Sequence, residues 1–396
     1  MESLASCSHL SMTSRHDISH INDHLSFYKR LVIKIGSALL VEGSSHRLRE
    51  NWLNHICKEI ATRRSKGLET LIVSSGAIAL GRARLELIGQ TLSLPEKQAC
   101  AAAGQSLLTQ AYDKALKQQN LKAAQALLTL TDTEDRRHWL NARSTLEMLL
   151  KLGAVPIINE NDTVATDEIR YGDNDRLAAR TAQMVGADGL LLLSDIDGLY
   201  TSDPRYDETA THLSVVRTLT PEILAMGKGA NSAASVGTGG MATKLAAAQI
   251  ATQAGCDMII MNGKAPLPLS RLANGERFTR FAALTNPKNA RAQWILGSLK
   301  PKGKVTIDAG ALKALYTGKS LLAAGVTSIK GQFNKGDAVS LLSLSGEEIA
   351  RGLVNYNHHN ALKIMGHKSN EIDALLGYTN GAALIHRDNL VMKTLQ

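Results

Sequence analysis

The chain has 396 residues, enough for two or three domains at roughly 150 residues each. Apolar residues make up 44% and charged residues 20%, which excludes global disorder; only 4% are aromatic, which leaves the core to Ala, Leu, Ile and Val. The formal net charge of +9 points to anionic partners, nucleic acid or small molecule, and no apolar run approaches the roughly 20 residues of a membrane span.

Residues 1–28 are polar, carry His16, His20 and His24 at helical spacing, and contain no apolar stretch of a secretory signal. They are expected to be an extension outside the fold. From there apolar strands alternate with helices. Leu31 to Ile35 reads as a buried strand that ends in Gly36-Ser37, and 50–66 as a helix that ends at Gly67. Thr70 to Ser74 is a second strand, followed by Ser75-Gly76. Residues 96–119 and 138–151 are helical, and Ala154 to Ile158 is a strand that leads into the polar stretch Asn159 to Asp175. Residues 176–186 form a helix, Leu190 to Leu193 a strand that ends in Ser194-Asp195, 243–254 a helix, and Asp257 to Met261 a strand. This order predicts an α/β fold: a three-layer α/β/α sandwich with a mainly parallel central sheet over 29–296. In such sheets ligands bind beyond the carboxyl ends of the strands, where Gly, Ser, Asn and Asp gather here.

The texture changes near residue 300. Lys300-Pro-Lys-Gly-Lys304 reads as a linker, followed by a strand at 303–308, a helix at 309–317 and short strands near 338–344 and 348–355. Gly331, Gly336, Gly346 and Gly352 are expected to mark turns. A second domain, a small mixed α/β barrel, is expected over 302–385.

Four cysteines (Cys7, Cys57, Cys100 and Cys256) lie far apart and form no CxxC, which argues against a disulfide framework and suits the cytoplasm. Gly318-Lys319-Ser320 lacks the earlier glycine of a P-loop, because Lys313 stands there. Gly237-Thr-Gly239-Gly-Met-Ala242 fits a dinucleotide fingerprint, but no strand precedes it. A helix does follow, so Gly239 and Gly240 would offer bare N–H groups at its start, with Lys244 in the first turn: an anion cradle, or else a glycine hinge. Lys34 interrupts an apolar central strand. A buried lysine costs several kcal/mol, so it needs a ligand phosphate or an ion pair. Asn159-Glu-Asn-Asp162 and Gly172-Asp-Asn-Asp175 supply carboxylates and amides at the same end of the sheet; Asp162 and Asn174 suit an α-ammonium group, while Asp175 could equally be a helix cap.

Taken in order, the segments Val32 to Ser37, Val73 to Ile78, Ile158 to Asp162, Gly172 to Asp175, Leu193 to Asp195, Gly198 to Pro204 and Gly237 to Lys244 resemble the amino acid kinase family. Within it they resemble the branch that phosphorylates the γ-carboxylate of L-glutamate with ATP. Asn355-Tyr-Asn357 and Gly366 to Asp373 resemble a PUA domain. The likeness runs from about residue 30 to 390. It implies Lys34 and Lys244 as the lysines that neutralise the transferring phosphoryl group, with Asp175 orienting them. It implies Ser75, Gly76, Asp162 and Asn174 as the glutamate site. The ATP site would comprise Lys34, Gly36, Ser194, Asp195, Thr238, Gly239, Gly240, Met241, Ala242, Thr243 and Lys244. It further implies Mg²⁺ held mainly by nucleotide phosphates, a place at the first step of proline biosynthesis, proline as inhibitor, and a homo-oligomer (dimer or tetramer). The rival enzyme reading is an acetylglutamate or aspartate kinase. The rival of another class is an RNA-binding protein acting through the C-terminal domain; residues 302–396 carry 11 Lys+Arg and 7 Asp+Glu, which is basic but not a dense patch.

Overall fold

The structure, a computed structural model, describes residues 24–43, 45–164, 174–227, 240–297 and 300–393. Ten strands precede residue 300: β1 (Arg30–Ile35), β2 (Glu69–Ser74), β3 (Lys122–Leu128), β4 (Ala154–Glu160), β5 (Gly189–Ser194), β6 (Leu199–Tyr200), β7 (His212–Leu213), β8 (Val215–Val216), β9 (Asp257–Asn262) and β10 (Phe278–Phe281). Eight of them form one sheet in the order β3-β4-β2-β1-β5-β9-β10-β8. From β3 to β9 every pairing is parallel; β10 runs antiparallel to β9, and β8 runs parallel to β10.

Side-chain alternation along the strands divides the core in two. Leu31, Ile33 and Ile35 of β1 point to one face, with Leu191, Leu193, Ile259 and Met261. Leu53, Ile56 and Ile60 of the helix Glu50–Arg64 and Leu108, Tyr112 and Leu116 of the helix Leu94–Lys117 cover that face. Val32, Leu71, Val73, Leu190, Leu192 and Ile260 point to the other. There the helices Arg136–Lys151, Asn174–Val185 and Met241–Gln253 contribute Leu146, Leu150, Leu177, Ala178, Leu245 and Ala248. The expected three-layer sandwich with its mainly parallel sheet is what forms.

The differences from the sequence reading have local causes. β3 is an edge strand whose Ala/Gln/Leu composition carries no strand pattern; its parallel pairing to β4, from Lys122 opposite Ala154 to Leu128 opposite Glu160, overrides propensity. β10 is held by a buried ion pair in which Arg280 lies 2.8 Å from Asp257 of β9. Tyr28 donates to the same carboxylate at 3.2 Å. Tyr28 and Leu25, grouped by sequence with the extension, are buried in the core. The histidines His16 and His20 lie outside the described residues.

After residue 300, β11 (Gly303–Ile307), β13 (Val326–Gly331), β14 (Ala338–Leu342), β15 (Glu348–Leu353) and β17 (Leu390–Met392) form a mixed sheet in the order β13-β11-β14-β15-β17. β12 (Leu321–Leu322) pairs with β16 (Ala383–Ile385). One hydrophobic cluster, including Val305, Leu341, Tyr356 and Ile385, fills this part. Gly336 and Gly346 sit in turns as expected, whereas Gly352 lies inside β15.

Two glycines set the depth of one helix crossing that bears on the sheet's ligand end. A Cβ on Gly104, in the helix Leu94–Lys117, would lie 1.8 Å from the Ala77 carbonyl oxygen. One on Gly81, in the helix Ala77–Arg84, would lie 1.8 Å from the Cys100 carbonyl. The shorter helix starts directly after Ser75-Gly76, so this contact fixes where that turn sits. Gly104→Ala should therefore lower stability by about 1–3 kcal/mol, the usual cost of overpacking. The urea midpoint should fall with an unchanged slope; an unaltered midpoint would count against the crossing.

Candidate active site

The strands β1, β2, β4 and β5 end at one cleft of about 700 Å³. Lys34 is the key to its chemistry. On β1 it is in register with Val73 of β2 and Leu192 of β5, so it has no edge to escape to. Alternation puts it on the face of Val32, under the helices Asn174–Val185 and Met241–Gln253. Those helices supply its surroundings. Lys34 Nζ lies 2.6 Å from Asp175 Oδ1. Lys244 Nζ lies 3.3 Å from Asp175 Oδ2. All three side chains are buried, Asp175 to 1% exposure. Thr243 donates from Oγ1 to the same carboxylate at 3.1 Å. Burial pushes the Asp175 carboxyl up, but the two ammoniums pull harder and hold it below the ordinary carboxylate value. Two cations against one anion leave a net positive charge in a place with little water. That is an anion site by electrostatics.

A second cluster lies along the cleft from this one. Gly76 takes φ +110° to start its helix, a left-handed conformation that favours glycine. Ser75 beside it accepts a 2.6 Å hydrogen bond from Asn174 Nδ2. Asn174 is the first residue of the helix that carries Asp175, so one helix start serves both clusters. Asp162 follows β4 and also lines the cleft. Burial pushes its carboxyl up to about 6.

The ATP-site residues divide. Gly36, Ser194, Asp195, Gly240, Met241 and Lys244 line the cleft. Ser194 donates to the Asp195 carboxylate at 3.1 Å, and Asn262 of β9 donates to the Asp195 carbonyl at 3.3 Å. Ala242 and Thr243 line a second, shallow groove with Arg176 and Arg180, although the Thr243 hydroxyl still reaches Asp175. Thr238 and Gly239 lie outside the described residues. The sequence reading missed Asn159 as an individual contact and missed Arg82 and Lys97, which also line the cleft. The two cations look like ordinary surface charges in sequence; the two helices that cross at Gly81 and Gly104 carry both to the cleft. Among the described residues no three His, Cys, Asp or Glu side chains converge as a metal site.

A cleft at the carboxyl ends of parallel strands, with a buried lysine–aspartate–lysine group, suits an anionic ligand of the kind a phosphoryl-transfer enzyme binds. Residues 29–262 match the model of the amino acid kinase family, and residues 303–376 match the PUA domain. The glutamate 5-kinase of Caulobacter vibrioides (strain NA1000 / CB15N) is 55% identical over 92% of this chain and 96% of its own length. That of Agrobacterium fabrum is 55% identical over 93% and 94%, and that of Allorhizobium ampelinum 56% over 93% and 93%. The chain belongs to the amino acid kinase family and, within it, to the glutamate 5-kinases.

The buried carboxylate is the point where this site is most exposed to damage. Asp175→Asn would leave two buried ammoniums without their counter-charge. Stability should drop by about 3–5 kcal/mol, the usual cost of breaking a buried pair from one side. The folded carboxyl titrates below its unfolded value. Its contribution is therefore full at neutral pH and is lost as pH falls through that lowered range. Urea unfolding of both proteins at neutral and acidic pH measures this; an equal gap at every pH would refute it.

Proposed function

We infer that the protein transfers the γ-phosphoryl group of ATP to the γ-carboxylate of L-glutamate, giving L-glutamyl 5-phosphate. The observation that carries the reading is the trio Lys34, Asp175 and Lys244 brought together at the strand ends. A carboxylate is ionised at neutral pH and is already a nucleophile, so no general base is required. Its oxygen attacks the γ-phosphorus, a new O–P bond forms, and the bond to the β-phosphate oxygen breaks; the electron pair leaves with ADP and no proton moves. What remains for the protein is alignment and stabilisation of charge spread over the phosphoryl oxygens. Lys34 and Lys244 reach the cleft from opposite sides of Asp175, which holds both ammoniums still. Preorganised cations of this kind lower the barrier without reorganising during the step.

The amino acid end falls to the second cluster. Asn174 Oδ1 is buried and has no hydrogen-bond partner among the described residues, which suits it to an incoming ammonium. Asp162 supplies the opposing charge. Ser75 accepts from Asn174, which leaves its own proton to donate to the substrate's α-carboxylate. The same zwitterion-binding groups would take proline as a competing inhibitor. Mg²⁺ fits as the companion of the nucleotide's own phosphates, since Asp175 is committed to two ammoniums; when bound it supplies further neutralisation of phosphate charge. Cys57, Cys100 and Cys256 are free and buried, which suits a cytoplasmic setting; burial pushes the Cys57 thiol up to about 12, which leaves it inert. No described helix is long and apolar enough to cross a membrane.

Lys244→Ala should lower turnover by about 10²–10³-fold, as removal of one preorganised charge stabiliser does. ATP-dependent glutamyl hydroxamate formation reads this directly, and near wild-type turnover would sink the assignment. A second expectation concerns pH. Asp162 opposes the ammonium only when ionised, so kcat/KM for glutamate should fall as pH drops below about 6. Asp162→Asn should bind glutamate weakly and lose that inflection; an inflection that survives the substitution would assign it to another group.

A further inference from the structure

The carboxamide of Asn174 has two ends with different fates. Its Nδ2 donates to the Ser74 carbonyl at 3.3 Å, to Ser75 Oγ at 2.6 Å and to Asn159 Oδ1 at 3.0 Å. Its Oδ1 is left for whatever enters the cleft. A half-turn of the amide would reverse this, offering N–H groups where the oxygen now stands and repelling an ammonium. The Ser74 carbonyl, which can only accept, opposes the half-turn, but at 3.3 Å it is the longest of the three contacts.

The next amide opposes it at closer range. Asn159 is buried at the end of β4. Its Nδ2 donates to Gln105 Oε1 at 2.8 Å, so its Oδ1 must face Asn174. Gln105 is held in turn. Its Nε2 donates to Thr109 Oγ1 at 3.3 Å, one turn along the helix Leu94–Lys117. The Thr109 hydroxyl proton has two acceptors, the Gln105 carbonyl at 2.9 Å and Gln125 Oε1 of β3 at 2.8 Å, so its oxygen is left to accept from Gln105. Donor and acceptor ends therefore alternate without a break from Gln105 through Asn159 to Asn174. Asn159 and Asn174 line the cleft, but Gln105 does not.

We propose that Gln105 is a positioning residue that fixes the amide polarity of Asn159 and Asn174, and so makes the cleft select a substrate carrying an ammonium group. Asp162 supplies the charge for that selection and the amide chain supplies its direction. The inference rests on the reading of the cleft as a glutamate site.

The test uses the full chain and two variants, Gln105→Met and Gln105→Glu. Glutamate KM and kcat come from hydroxamate formation; glutarate, which is glutamate without the ammonium, serves as a competitive inhibitor. Gln105→Met removes the acceptor that orients Asn159, leaving a buried donor unpaired. It should raise the glutamate KM about ten-fold, with kcat and the glutarate inhibition constant unchanged. Gln105→Glu keeps an acceptor oxygen and should restore the glutamate KM. The ratio of the two constants does not depend on how much of a variant is folded. Equal weakening of glutamate and glutarate, an unchanged KM in Gln105→Met, or failure of Gln105→Glu to restore it would each overturn the proposal. Absence of glutamate turnover in the unsubstituted protein would overturn the proposed function instead. Titrating glutamate against glutarate binding would then still judge the role of Gln105.

Discussion

The fold is organised around a charge imbalance it keeps out of water. Lys34, Asp175 and Lys244 come from a central strand and from two helices on the same face, and they bury two positive charges against one negative. Isolated, any of these groups would be costly to bury. Together they are tolerable, but the sum is not zero. A protein that only needed stability would place a hydrophobic trio here. The surplus positive charge has a use when a phosphate arrives, because the attraction then acts in a medium that screens it weakly.

That arrangement constrains elements far from it. Lys34 must sit on the Val32 face, which fixes the register of β1 between β2 and β5. Asp175 must start a helix lying on that face, and the same helix start then delivers Asn174 to the amino acid end of the cleft. On the proposed reading, the two halves of the reaction are joined by one peptide bond. A shift of that helix relative to β1 would disturb phosphate and amino acid sites together.

Much of this could be read from the chain. A lysine inside an otherwise apolar central strand has few explanations, and Lys34 proved to have an ionic partner. Strand ends rich in Gly, Ser, Asn and Asp pointed to the edge of the sheet where the cleft lies, and the boundaries of β1, β2 and β5 differ from the sequence reading by a residue or so. What could not be read was anything that depends on contacts between distant segments. β3 has no strand pattern because its identity comes from β4. The antiparallel β10 depends on a buried Arg280–Asp257 pair that no local pattern announces. Gln105 and Asn159 are 54 positions apart, and a glutamine in an Ala-rich helix looks like solvent-facing polarity. The same limit applies to Ala242 and Thr243: both line another groove, while Thr243 keeps its hydroxyl on Asp175.

One helix belongs to both parts of the molecule. Arg136–Lys151 covers the large sheet with Leu146 and Leu150, yet it also meets the C-terminal part. Asn141 accepts from Lys335 at 3.1 Å, and Arg143 donates to Asn389 at 3.2 Å. The Arg291 guanidinium stacks 5.3 Å from the Trp139 ring and also donates to Asn389. From its last turn the chain runs directly into β4, the strand that ends at Asn159 and Asp162. The C-terminal part is a module by sequence boundary but a buttress by construction. Exchange for a homologous module would therefore be constrained less by the linker near residue 300 than by whether the incoming surface supplies an amide oxygen where Asn389 now stands.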